Sequence, residues 1–486
     1  MINILKHLAD LKNAFHYLFF ILIVSVVLFA SCNEENYVTN EDASLSFSVD
    51  TLMFDTIFTS IGSTTQSFRV INKYSQPILI SSIQLAGGEN SFYRLNIDGE
   101  LTNELHDIEL PAHDSIFIFV ELTVNPNGSN QPMIVQDSIV FMTNSNIQDI
   151  DLLAWGQDFV PIRGEVLNTT TWTANKPYLV YDYAYVDSGQ VLTIEPGCKI
   201  YFHKKAGLYA KGTIKAIGTP SDPIIFTGDR LEEMYFDIPD QWQGILLFPG
   251  EGINEFENVE ITCANIGLQV GTIENEGAAN VRLHNVKIEH MAFAGLFALK
   301  SQIEATNTLV SDCGYYCVTL LVGGNYNFNH CTIANYWGFS NRQSTSLLIS
   351  NQLIIDTEDG KVAYTGDLVN ATWRNSIIWG DLKSEVDFGF NEKAMFNYQF
   401  DHCIIKIADS IKTTDPEIYT SIIKNIDPLF INKSDYDYQL DTLSPAKDIG
   451  LKIYGEVVPL DLNNVSRLSD TAPDLGVFER IEDEDK

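Results

Sequence analysis

One six-residue pattern constrains this chain more than any other feature. It reads Phe256-Glu-Asn258-Val-Glu-Ile261, Leu283-His-Asn285-Val-Lys-Ile288, Ala305-Thr-Asn307-Thr-Leu-Val310 and Phe328-Asn-His330-Cys-Thr-Ile333. It continues as Ile349-Ser-Asn351-Gln-Leu-Ile354, Trp373-Arg-Asn375-Ser-Ile-Ile378 and Phe400-Asp-His402-Cys-Ile-Ile405. The third position is Asn or His throughout, and successive third positions lie 27, 22, 23, 21, 24 and 27 residues apart. A period in the twenties with short strands in each turn is the mark of a stacked solenoid. The frame of a leucine-rich repeat is absent, and helical repeats are longer with a 3.6-residue periodicity. A parallel β-helix fits: the apolar first and sixth positions stack inward, which puts Trp373 in the core. The polar third position then falls at a corner, where Asn tolerates a bent backbone and can bond its neighbours one coil above and below.

Upstream, Val191–Gly197, Lys199–Phe202, Gly207–Ile217, Pro223–Thr227 and Trp242–Phe248 read as strands joined by turns. The phrases LTIEPGCKIYF, GLYAKGTIKAIGTPSDPIIFTG and WQGI resemble the first coils of right-handed parallel β-helix repeat proteins. The segments Ser444–Gly450 and Ala472–Arg480 resemble the closing segment of secreted members. The resemblance spans about residues 170–480. It implies fold and not activity, since this scaffold carries unrelated functions. The β-helix is placed at 166–450 and a closing segment with an acidic tail at 451–486.

Residues 45–160 read differently. Strands such as Gln66–Asn72, Ile78–Leu85, Ser115–Val124, Asp137–Thr143 and Ile150–Gly156 alternate with turns rich in Gly, Asn and Pro. That spacing, with no helical period, predicts an antiparallel β-sandwich. The stretch resembles the immunoglobulin-like domains at the membrane-proximal end of Bacteroidota lipoproteins, which implies a spacer. The whole chain is therefore expected to be all-β, with an immunoglobulin-like sandwich followed by a right-handed parallel β-helix.

The first residues read as an address. Lys6 and Lys12 precede an apolar run from Ala14 to Ala30, then Ser31 and Cys32. A signal peptide at 1–31 has this order of charge, apolar core and small residues. An uncleaved anchor is the competing reading, because about seventeen residues is the lower limit for a bilayer span. The ending resembles the bacterial lipobox, which implies Cys32 as the lipid-attachment residue, 32–44 as a tether, and a partner membrane reached through the lipid. The resemblance places the protein in the cell envelope as an outer-membrane, surface-exposed lipoprotein. Asn33-Glu34-Glu35-Asn36 resembles a surface-export signal, and triplets such as Asp55-Thr56-Ile57 resemble O-glycosylation sites of the same phylum.

Charge excludes some partners. Lys and Arg number 30 against 64 Asp and Glu, giving −34, and loss of residues 1–31 would make it −35. Such a surface has no footprint for nucleic acid and repels anionic polysaccharides unless cations intervene.

No residue set announces a reaction. Six cysteines besides Cys32 invite a disulfide reading, but Cys331 and Cys403 share a repeat position three coils apart, roughly 14 Å at the strand spacing and too far for a bridge. Buried thiols are the favoured reading. His330 and His402 read as corner residues replacing Asn. Polysaccharide lyases need a basic residue beside Arg or Ca²⁺, and hydrolases need clustered carboxylates. Arg282, Lys287, Lys300, Arg342, Lys361 and Arg374 form no evident column. Tyr336 and Trp337 on a turn, and Trp379 just past an inward position, are the candidate sugar-stacking residues. The acidic loop Gly228–Gln241 offers Asp237 and Asp240 as weak Ca²⁺ ligands, against the plainer reading of a solvated loop. No other cofactor is implied. The sequence thus leads to a lipid-anchored binding or adhesion module for glycans or cell-surface proteins. A lyase or hydrolase with an unrecognised site and a purely structural surface protein are its rivals.

Overall fold

The computed structural model describes His16 and residues 36–273, 277–357, 360–469 and 471–480. Cys32, the rest of the expected signal peptide and the acidic tail 481–486 lie outside the described residues. The chain divides into two compact units, Met1–Pro126 with Met133–Gly156, and Asn127–Pro132 with Gln157–Lys486. Nearly every element is a strand, and the longest described helix is Lys452–Val457.

The first unit holds two five-stranded sheets, mostly antiparallel, around one core. Period-two alternation builds it: along Ser115–Leu122, Ile116, Ile118, Val120 and Leu122 turn inward while Phe117 and Phe119 turn out. Phe68 and Val70 pair with Ile118 and Ile116 across the sheet. Ile80, Ile83, Ile139, Phe141, Ile150 and Leu152 from the other sheet belong to the same core, each burial stabilising by roughly 1.5–3 kcal/mol. A two-residue hairpin joins Met133–Thr143 to Asn146–Gln157. Asn144 and Ser145 both take positive φ, 46° and 69°, as the twist of a tight hairpin requires.

The second unit is built on one sheet of 23 strands whose neighbours along the stack are parallel, with two antiparallel strand pairs beside it. Leu283 pairs with Ala305, and Ala305 with Phe328, so the chain returns to register after 22 and then 23 residues. Each circuit lays down three faces. In one of them the first face is 280–284, the second 286–289 and the third 294–298. The hexads straddle the corner between first and second faces. Their first positions form one inward column, Phe256, Leu283, Ala305, Phe328, Trp373 and Phe400, all essentially buried. Trp373 stacks between Phe328 at 5.0 Å and Phe400 at 5.1 Å, a contact worth more than its area alone.

The corner residues Asn258, Asn285, Asn307, His330, Asn375 and His402 all take left-handed φ, between 44° and 55°. Asn tolerates this conformation because its short polar side chain bonds locally. Asn285 Nδ2 donates to Asn258 Oδ1 at 3.1 Å, and Asn307 Nδ2 to Asn285 Oδ1 at 2.9 Å. His330 continues the column, its Nε2 accepting from Asn375 Nδ2 at 3.1 Å.

The fifth hexad is not a rung of this ladder. Phe328 pairs with Trp373, so one circuit runs from His330 to Asn375. Ile349 lies on the third face, where Leu347–Ser350 pairs with Val318–Leu320 and Val386–Gly389. Beyond Asn351 the chain leaves the stack as an antiparallel hairpin, Gln352–Thr357 with Gly360–Thr365, and Ile354 is 53% exposed. Asn351 is buried and holds the base of this excursion through Asn391 O and Asn391 N.

The parallel pairing ends at Ile423–Lys424 rather than at residue 450. From Phe430 onward the chain lies against the second face, so the closing segment begins there rather than at residue 451. Leu440, Ala446 and Leu475 pack on Ile377, Trp379 and Ile404; Tyr438 and Val477 pack on Leu309 and Ala334.

Candidate functional site

The closing segment decides the fate of the predicted aromatics. Trp379 turns away from the inner core as its position requires, yet it is 5% exposed under Leu440, Ala446 and Leu475, with Lys406 Nζ 4.8 Å from its ring centroid. Tyr336 lies parallel to Tyr438 at 6.0 Å and packs edge-on to Phe430. Neither ring has a free face for a sugar. Trp337 is half-buried, donates its indole N–H to Ser340 Oγ at 2.9 Å and packs on Phe339. The three do not form one platform.

Asp237 and Asp240 also diverge. Asp237 faces His290 at 3.5 Å, and Asp240 accepts from Asn265 Nδ2 at 3.1 Å. Among the described residues no group of three or more His, Cys, Asp or Glu side chains is arranged to hold a metal ion. The six cysteines are buried and free, and burial pushes the Cys198, Cys263, Cys331 and Cys403 thiols up to about 12. Arg342 is buried in a two-pronged ion pair with Glu385 at 2.6 and 2.8 Å.

A second corner column gathers titratable groups. Cys263, His290 and Asp312 follow one another at left-handed corners. The Tyr438 hydroxyl donates to Asp312 Oδ2 at 2.6 Å, Tyr336 N donates to its Oδ1 at 3.1 Å, and the carboxyl is 2% exposed. Loss of water raises Asp312 to about 6, against the pull of those hydrogen bonds. Glu289, which accepts from Ser311 Oγ at 2.9 Å, is raised to about 7, again by desolvation first. His290 is lowered by burial, with Tyr436 edge-on at 4.4 Å. The partners here are Tyr436 and Tyr438 of the closing segment and Asp237 and Phe236 of the 228–241 loop. This corner fastens two excursions to the stack.

The open feature lies on the outer side of the first face. One row runs Ile253, Asn280, Gln302, Asn325, Asn370, and the next Lys215, Glu255, Arg282, Glu304, Asn327, Thr372. Arg282 therefore does belong to a column, one of alternating sign. Its Nε is 3.0 Å from Glu304 and its Nη1 3.6 Å from Glu255, while Lys215 Nζ is 3.9 Å from Glu255. Asn370 Nδ2 donates to Asn327 Oδ1 at 3.1 Å. A groove of about 200 Å³ opens here, lined by Asn280, Arg282, Gln302, Glu304, Asn325 and Asn327 with Ile253, Val281 and Ile303. Each amide offers both donor and acceptor, and the two charges cancel. Such a lining suits a neutral, hydroxyl-rich ligand, and its one carboxylate, Glu304, is paired with Arg282. The signal was available in the sequence one and three residues before each hexad.

No protein-family model matches the chain. A 90-residue stretch, 18% of this chain and 3% of the relative, is 37% identical to "Protein bark beetle" of Drosophila melanogaster, so the chain spans a small part of that relative. Among solved structures, a family 123 glycoside hydrolase from Clostridium perfringens, studied for glycolipid glycan hydrolysis, aligns with a TM-score of 0.16 at 8% identity. That alignment covers 23% of this chain and 26% of the other, too slight a likeness to carry an argument.

Proposed function

We propose that this protein is an exported, lipid-anchored cell-envelope module that binds neutral glycans along the open flank of a right-handed parallel β-helix. Cys32 is the lipid-attachment residue in this reading, a Bacteroidota-type lipoprotein its source, and the first unit an immunoglobulin-like spacer. The groove at Asn280, Arg282, Gln302, Glu304, Asn325 and Asn327 carries the proposal. Amides repeating along a flat parallel sheet match repeated hydroxyls, and the −34 charge disfavours anionic chains.

A glycan array with the full-length protein tests this reading. The double variant Arg282→Ala/Gln302→Ala should weaken the captured glycan at least tenfold without lowering the melting temperature. Turnover of any polysaccharide would replace the proposal with the lyase or hydrolase reading. Membrane association that persists in Cys32→Ser would refute the lipid anchor.

A further inference from the structure

A second pocket lies in the first unit, on a different sheet and of different chemistry. Phe117 and Phe119, two apart on Ser115–Leu122, point outward and are 46% and 39% exposed. Their rings lie 6.0 Å apart with planes within 23° of each other. Phe119 neighbours Asn96 on one side and Ser67 on the other. Asn96 in turn pairs with Leu101 on the short strand Glu100–Leu101, whose side chain is 86% exposed. Phe119, Leu101 and Leu95 belong to the lining of a cavity of about 290 Å³ that Thr65, Arg94, Asn96 and Glu121 complete.

The polar side chains of this lining are held by the protein's own bonds. Arg94 Nη1 donates to Ser91 O and Tyr93 O, both at 2.6 Å. Gly99 N donates to Asn96 Oδ1 at 2.8 Å, which leaves the amide NH₂ as the donor. The Thr65 hydroxyl donates to the Glu121 carboxylate. Fixed polar groups lose little freedom when a ligand arrives. An aromatic ring beside one cation, one anion, an amide and a hydroxyl is matched by a ring with an apolar C–H face and hydroxyls at its edge. Arg94 and Glu121 cancel, so the pocket selects no charge of its own, while the acidic chain repels anions and a second copy of itself.

We infer that this pocket is a second, independent carbohydrate site, in which Phe119 stacks on a neutral pyranose ring and Asn96, Arg94 and Glu121 read its hydroxyls. It stands apart from the solenoid groove and does not depend on it. Calorimetric titration of the full-length protein with neutral gluco- and manno-oligosaccharides tests it. The expected result is a binding event weakened at least tenfold in Phe119→Ala, kept in Phe119→Trp and unaffected in Arg282→Ala/Gln302→Ala. Phe119 is partly exposed, so the melting temperature should stay within a few degrees, and Leu101→Ser provides a second variant with the same expected loss. Binding that survives both substitutions, or no binding of any neutral oligosaccharide, overturns the inference. So does a preference for uronate oligosaccharides, or a concentration-dependent dimer that Phe119→Ala dissolves. Failure of the groove proposal alone would show only in the Arg282→Ala/Gln302→Ala titration.

Discussion

The first and second faces of the parallel stack share strands, corners and core, and differ on their outer sides. Outward on the second face the column reads Glu260, Lys287, Leu309, Thr332, Ile377, Ile404, Ile423. It is charged for two coils and mostly apolar thereafter, and the closing segment packs on the apolar part. The first face carries Asn280, Gln302, Asn325 and Asn370 over the same coils. In a solenoid the inner positions are dictated by stacking, so the outer ones are free to choose between a covered flank and an open one.

The sharpest way to break that comparison is to remove what fastens the cover. Arg467 and Glu479 are fully buried and 3.2 Å apart, and Arg467 Nη2 also donates to Asn307 Oδ1 at 2.9 Å. Arg467→Ala should destabilise the closing segment by about 3–5 kcal/mol, because it strands a buried carboxylate. Faster amide exchange across 451–480 would report this, and Arg467→Met with Glu479→Leu should recover much of the loss.

A second test uses pH. Asp312 is raised to about 6 from an ordinary value of 3.8. The folded chain therefore keeps a proton that the unfolded chain releases, and this contribution falls as pH rises from about 4 to 6. Asp312→Asn abolishes it, so the variant should gain on the wild type by up to about 3 kcal/mol between pH 4 and pH 7. Denaturant titrations at the two pH values measure the difference; a constant gap would show that this corner does not feel its burial.

The smallest expected effect lies on the corner ladder that both flanks share. Asn285→Ala removes bonds to Asn258 and Asn307 and loses the amide that lets Asn tolerate φ 55°, together costing about 2 kcal/mol. Asn285→Gly should cost less, since glycine accepts that backbone.

Much of the inner architecture was legible in the hexads. Apolar first and sixth positions had to face inward, and a left-handed corner accounts for Asn and His. The false rung shows the limit of that reading. Ile349-Ser-Asn351-Gln-Leu-Ile354 has the right composition and nearly the right spacing, but composition does not state which strand it pairs with, and Ile354 ended on a hairpin. The outer surface was harder to read because a cover contributed from far along the chain, Leu440 and Leu475 over Trp379 and Tyr438 over Leu309, changes what outward means. Trp379 was placed correctly relative to the core and wrongly relative to water. The fifth hexad position, turning from Glu260 and Lys287 to Leu309, Ile377 and Ile404, was the available sign that something would lie there. The groove went unseen because its residues precede the hexad frame.

The ladder's contacts with the closing segment carry a consequence for how the chain can change its length. Asn307 Nδ2 donates to Leu460 O, Asn375 Nδ2 donates to Leu451 O while its Oδ1 accepts from Leu451 N, and Val477 N donates to Thr332 Oγ1. These contacts fall on successive coils, so the segment acts as a ruler laid along them. Adding or deleting a coil between Asn307 and Asn375 would shift every later mark by about 4.8 Å. Among the described residues these bonds reach no coil upstream of Asn258, so growth or loss of whole coils is expected to be accommodated at that end and refused at the other.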